Sequence, residues 1–223
     1  MSYYKRQVTV STDSEFKRKS GDIIDLGNKL YSRGLLNATS GNISSVLNND
    51  PLELAITASG VDKGNMNAED IIIIDSDGTV TEGNGKPSAE TLLHLAVIKN
   101  SEAKSVIHTH SIWSTVLSRI YLPEGFLSLK GYEMLKALDG NKTHETNEVI
   151  PVFENTQDMK GLSERVSKYL KEHPETHGFV LSGHGLYTWG KSLKEAKRSV
   201  EALEFLLEVK GRELSLSEIK IQG

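Results

Sequence analysis

Apolar and polar positions alternate along the chain in two periods, dividing it into short strands and amphipathic helices. Over 14–33, Phe16, Ile23, Ile24, Leu30 and Tyr31 fall on roughly one helical face, and Gly34 supplies a C-cap. The runs 43–47 and 52–57 flank Asn48-Asn49-Asp50-Pro51 and predict a hairpin. The four-isoleucine run before Asp75 is too short to span a membrane and predicts a buried strand that turns at Asp77-Gly78. Ser88, following Pro87, predicts the N-cap of a helix over 89–100. Further helices are predicted up to 120 behind a Ser111 cap, and over 132–138, 158–172 and 192–210. Strands are predicted over 149–153, 179–181 and 186–189, with the polar segment 139–148 read as an exposed loop. Strands joined partly by hairpins and partly by helices predict an α/β fold whose sheet is mixed and largely antiparallel, rather than a uniform parallel series.

The stretch "SVIHTHS", 105–111, gives this pattern its chemistry. A β-branched run delivers His108 and His110 with one residue between them, and side chains on a strand alternate faces, so both imidazoles point the same way. Two imidazoles on one face at a strand end form half of a zinc site and need at least one more protein ligand, for which His184 in "SGHGLYTWG" is the candidate. An isolated His-x-His is equally compatible with ordinary strand residues. His94 falls within a helix, and His144, His173 and His177 lie in polar segments without an evident partner; none is read as a site residue.

Composition narrows the options. A chain of 223 residues without a transmembrane-length apolar run suits one globular domain over 1–223. The absence of cysteine excludes thiolate ligands, so a transition metal here must rest on imidazole and carboxylate. No apolar signal core opens the sequence, which makes cytoplasmic residence the expectation. A formal net charge of -4, with Lys and Arg scattered, leaves no electrostatic footprint for nucleic acid or an anionic membrane. An anionic substrate would then need a local cradle. Three clusters offer one: Thr39-Ser40-Gly41-Asn42, Ala58-Ser59-Gly60 and Lys86-Pro87-Ser88 present hydroxyls and backbone N–H groups, which bind phosphate without a global positive field. Turn chemistry alone accounts for any single cluster. Glu90 sits in a first helical turn, where the helix dipole favours a carboxylate. Glu133 precedes Lys136 by three residues, and on spacing alone a surface ion pair accounts for both.

Taken together, "TSGNIS", "ITASG", "KPSAETLLH", "VIHTHS" and "SGHGLYTWG", in this order and at these spacings, resemble the class II aldolase and adducin family from about Ser14 to Lys210. "KGYEMLKAL" with "VIPVFENT" resembles most the branch that dehydrates 5-methylthioribulose 1-phosphate in methionine salvage. The resemblance implies a three-layer α/β/α domain, usually a cyclic tetramer with active sites at subunit boundaries. It implies one zinc per subunit on His108, His110 and His184, with Glu133 as the acid/base residue. It further implies phosphate contacts from Thr39, Asn42, Ser59, Gly60 and Ser88, and a place for Glu90 near the metal and substrate. Sugar-phosphate aldolases of the family use a glutamate at the Glu90 place for proton transfer, which keeps an aldolase or epimerase reading beside the lyase. Ala89 stands where some aldolases carry a second serine, removing one phosphate contact. An adducin-like binding module is the third reading, and retention of all three histidines argues against it.

Overall fold

The computed structural model describes the backbone over residues 2–221 and side chains over residues 14–217. Its sheet contains β1 (Asn42–Asn49), β2 (Leu52–Thr57), β3 (Ile71–Ile74), β4 (Val80–Glu82), β5 (Ser105–Thr109), β6 (Phe126–Leu129), β7 (Glu148–Phe153), β8 (Gly178–Leu181) and β9 (Gly185–Gly190). The strand order is β4-β3-β2-β1-β5-β9-β8-β7-β6. All neighbouring pairs are antiparallel except β7 with β8. That parallel pair is joined by a helical crossover, α4 (Met159–Glu172), as parallel pairing requires. The sheet is thus mixed and largely antiparallel, as the alternating connections predict.

Helices cover both faces because successive strand residues point to opposite sides. On one side α1 (Ser2–Ser32), α3 (Ile112–Ile120) and α5 (Leu193–Ile221) bring Ile23, Leu30, Leu117 and Leu203 into a core with Ile43 and Ile107. On the other, α2 (Thr91–Asn100) and α4 bring Leu93, Val97, Leu162 and Val166 against Leu54, Ile56 and Val106. Val106 and Ile107 are both fully buried yet serve different cores. Truncating either to alanine costs about 2–5 kcal/mol for an Ile-sized cavity and less for valine. The result is the α/β/α layering.

Several local expectations are corrected. Both terminal helices run longer than the apolar periodicity marks. Ser88 does not cap α2: the helix begins at Thr91 with Glu90 in the capping position, and Ser88 instead accepts from the Glu90 N–H at 3.3 Å. The 132–138 helix is a 3-10 turn, Glu133–Ala137. β4 and β6, both at sheet edges, have no counterpart among the predicted strands. Glu148, at the end of the expected loop, is 5% exposed and begins β7.

Candidate metal centre

β5 lies between β1 and β9, with His108 opposite both Asn42 and Tyr187. Past the end of β5, His110 is held by its backbone N–H, which donates to Leu35 O at 2.9 Å, and Ser111 caps α3 by accepting from the Ser114 N–H at 3.0 Å. His184 sits in the turn between β8 and β9, its N–H donating to Leu181 O at 3.0 Å. Gly185 allows the close approach of that turn: a Cβ there would collide with Thr109 O and lie 3.1 Å from His108 Cε1. A side chain at 185 would therefore separate β9 from the histidine strand.

The three histidines converge: His108 and His110 from one face, and His184 from a distant turn. Nε2 of His110 lies 2.8 Å from Nε2 of His108 and 3.0 Å from Nε2 of His184, and the His108–His184 separation is 3.2 Å. Glu90 Oε1 reaches His184 Nε2 at 2.9 Å and stands 3.7 Å from His108 Nε2. The four ligand atoms all lie within 4.8 Å of one another. His108 donates its Nδ1–H to Leu186 O at 3.0 Å, so the neutral ring offers Nε2 as a bare lone pair. Its ring stacks on Tyr187, centroids 3.9 Å apart, and Tyr187 stacks in turn on Phe179 at 4.7 Å, which fixes the ring plane.

Burial lowers the pKa of His108, and burial, with the His108 and His184 rings crowding it, lowers that of His110 to about 3. Burial works to raise the pKa of Glu90, but the His108 and His184 imidazoles outweigh it and hold the carboxyl well below the usual range. Three imidazoles aimed at one point cannot all satisfy one another, because each shared proton serves a single pair. A cation engages all three lone pairs at once. Two nitrogens bound tetrahedrally to one zinc ion stand about 3.3 Å apart, close to the observed separations. The residues fit a metal.

The three small-residue clusters meet beside this centre. The Ser59 N–H donates to Lys86 O at 2.9 Å, joining the second cluster to the third. Lys63 Nζ donates to Thr39 O at 3.1 Å and Val61 O at 2.8 Å, joining the first cluster to the residue that follows the second. Asn42 Nδ2 donates to Glu90 Oε2 at 2.7 Å, and Ser88 Oγ donates to the same oxygen at 3.3 Å, tying both ends to the metal centre. Thr39, Ser59 and Gly60 are exposed, with Gly60 at φ +77°, so their donors line an open edge.

Glu133 is not among the residues gathered around the histidines. Its side chain is 72% exposed and pairs with Lys136, with His144 Nδ1 3.7 Å away. The ion pair that spacing suggests is present. Sequence reasoning misses His94 and Lys63. His94 is fully buried and bonded to Asn42 and Ser44; its position four residues after Glu90, one helical turn on, is the available signal. Lys63, 1% exposed, carries none. His177, without an evident partner in the sequence, bonds Glu148 at 3.0 Å.

The model of the Class II Aldolase and Adducin N-terminal domain family matches residues 21–210. A methylthioribulose-1-phosphate dehydratase of Methylococcus capsulatus is 45% identical over 201 residues, covering 90% of this chain and 96% of that protein. The protein of the same name in Sorangium cellulosum is 43% identical over 197 residues, covering 87% and 92%. In three dimensions, the l-fuculose-1-phosphate aldolase of Thermus thermophilus superposes with a TM-score of 0.72 at 23% identity, over 91% of this chain and 98% of that one, a likeness of fold. With the histidine–glutamate cluster at the centre of the matched region, the chain belongs to the class II aldolase and adducin family.

Proposed function

We propose that this protein is a metal-dependent hydro-lyase that removes one water from 5-methylthioribulose 1-phosphate, giving 2,3-diketo-5-methylthiopentyl 1-phosphate in methionine salvage. One observation carries the reading: three imidazoles and a neutral-donor cradle meet in a chain that matches proteins named for this dehydration over nine-tenths of its length. The metal is zinc, one per subunit, held by His108, His110 and His184. When bound, it supplies a Lewis acid that polarises the substrate ketone.

The chain's own residues do the rest. Thr39, Asn42, Ser59, Gly60 and Ser88 hold the phosphate through hydroxyl, amide and backbone donors. Glu90 borders the metal and the sugar. The Glu133 carboxylate takes the proton from the carbon beside the ketone. The C–H pair becomes a carbon–carbon double bond, the hydroxyl on the next carbon leaves with its bonding pair and a proton as water, and the resulting enol tautomerises to the second ketone. The chain acts as one domain over 1–223, in the cytoplasm, as a homotetramer with sites at subunit boundaries. Two observations support the assembly. Ile112, Val116 and Ile120 form an exposed apolar stripe along α3, at 72%, 41% and 52% exposure. Glu133 projects to solvent from its own subunit, as a residue serving a neighbouring site would.

A ketose-phosphate aldolase or epimerase is the second reading, favoured by the 2.9 Å approach of Glu90 to His184. Product analysis with 5-methylthioribulose 1-phosphate separates the two. Loss of water with an intact carbon chain supports the lyase, and release of dihydroxyacetone phosphate overturns it.

A further inference from the structure

We propose that His94 is a positioning residue which, acting through Asn42, fixes the Glu90 carboxylate against the His108–His110–His184 cluster. Ser44, His94 and Asn42 are each at most 3% exposed, so their polar atoms have no water to fall back on. Ser44 Oγ lies 2.7 Å from His94 Nδ1, His94 Nε2 bonds Asn42 Oδ1, and Asn42 Nδ2 reaches Glu90 Oε2 at 2.7 Å. The other Glu90 oxygen is the one that faces His184.

The direction of every bond follows from the Glu90 end. A carboxylate only accepts, so Asn42 must turn its NH2 group toward Glu90 and its carbonyl oxygen toward His94. That oxygen also only accepts, so His94 must carry its proton on Nε2. Nδ1 is then a bare lone pair, which takes the Ser44 hydroxyl proton. Burial depresses the His94 pKa to about 3, consistent with the neutral ring this order requires. Without His94 the Asn42 oxygen is buried without a donor, and only the bond to Glu90 is left to hold the amide and, through it, the carboxylate.

The kinetic arm of the test rests on the lyase reading; the spectroscopic arm does not. In the metal-loaded wild-type protein, nitrogen NMR of labelled histidine should show His94 neutral, with its proton on Nε2. A proton on Nδ1, or an imidazolium, overturns the proposal whatever the reaction. In kinetics, His94→Phe should lower kcat by about 10- to 100-fold with metal content unchanged, while His94→Gln, which restores an N–H donor, should recover most of the loss. Full activity in His94→Phe, or equal loss in both variants at full metal content, overturns it. If wild type yields no dehydration product, the lyase reading fails and the tautomer still decides the role of His94.

Discussion

His108 donates its Nδ1–H to the Leu186 carbonyl at 3.0 Å, and this one bond turns the Nε2 lone pair of the neutral ring toward His110 and His184. The tautomer of a metal-binding imidazole is ordinarily fixed in this way from its far side. Here the neighbouring strand β9 supplies the acceptor, so pairing between β5 and β9 prepares the centre.

Replacing any of His108, His110 or His184 with alanine should lower metal content and activity together. His184→Ala is the most informative, since that residue arrives from a different segment of the chain. Elemental analysis showing full metal content and unchanged activity in this variant would remove it from the ligand set. His144→Ala, at an exposed ring beside Glu133, should leave metal content unchanged.

General acid/base groups contribute about 10²- to 10⁴-fold, so Glu133→Gln should lose at least that much in kcat while keeping metal and fold. Glu90→Gln should lose less. Because Glu133 is proposed to serve a neighbouring subunit, mixing inactive Glu133→Gln and His184→Ala proteins should regenerate some activity in hybrid assemblies. Mixtures that remain dead would place Glu133 in its own subunit's site, and a Glu90→Gln variant far more damaged than Glu133→Gln would favour the aldolase reading.

Ser88→Ala and Ser59→Ala should each weaken substrate binding by about 1.5–3 kcal/mol, the worth of a hydrogen bond to a charged group, without touching metal content. Lys63 lies behind this cradle with its pKa brought down to about 8 by burial, against the opposing charges of Glu90, Asp62 and Asp70. Its positive charge therefore fades as pH passes about 8, and KM for the phosphorylated substrate should rise there in wild type. Lys63→Met should show a raised KM already at neutral pH and no such inflection. Unchanged kinetics in both serine variants would return the clusters to plain turns.

The His177–Glu148 pair makes stability depend on pH. Burial works to lower the His177 pKa, but the Glu148 carboxylate on Nδ1 and the Asp139 carbonyl on Nε2 outweigh it and raise the pKa. A folded-state pKa above the unfolded value of about 6.5 means the protonated ring favours the native state. The contribution is complete below the unfolded value and is lost as pH rises through the folded one. Denaturant midpoints should fall over that interval in wild type and stay flat in His177→Gln. An equal fall in both would assign the effect to other groups.

How much of this was legible in the sequence depended on range. The His108/His110 pair declares itself because strand periodicity is local, and the isoleucine run at 71–74 marks β3 for the same reason. β4 and β6 escape because edge strands of three or four residues carry little alternation. Helical placement says nothing about what His94 meets, and its partners Asn42 and Ser44 lie 52 and 50 residues away in the chain. The Glu148–His177 pair spans 29 residues and likewise follows from the sheet, not from any local pattern.

The most direct test joins the metal centre to the reaction. Protein stripped of metal and then restored with one zinc per subunit should be incubated with 5-methylthioribulose 1-phosphate and the products weighed. The stripped protein should show no turnover. After restoration, a single phosphorylated product should form, lighter than the substrate by one water. Equal turnover with and without metal, or carbon–carbon cleavage after restoration, would contradict metal-dependent dehydration.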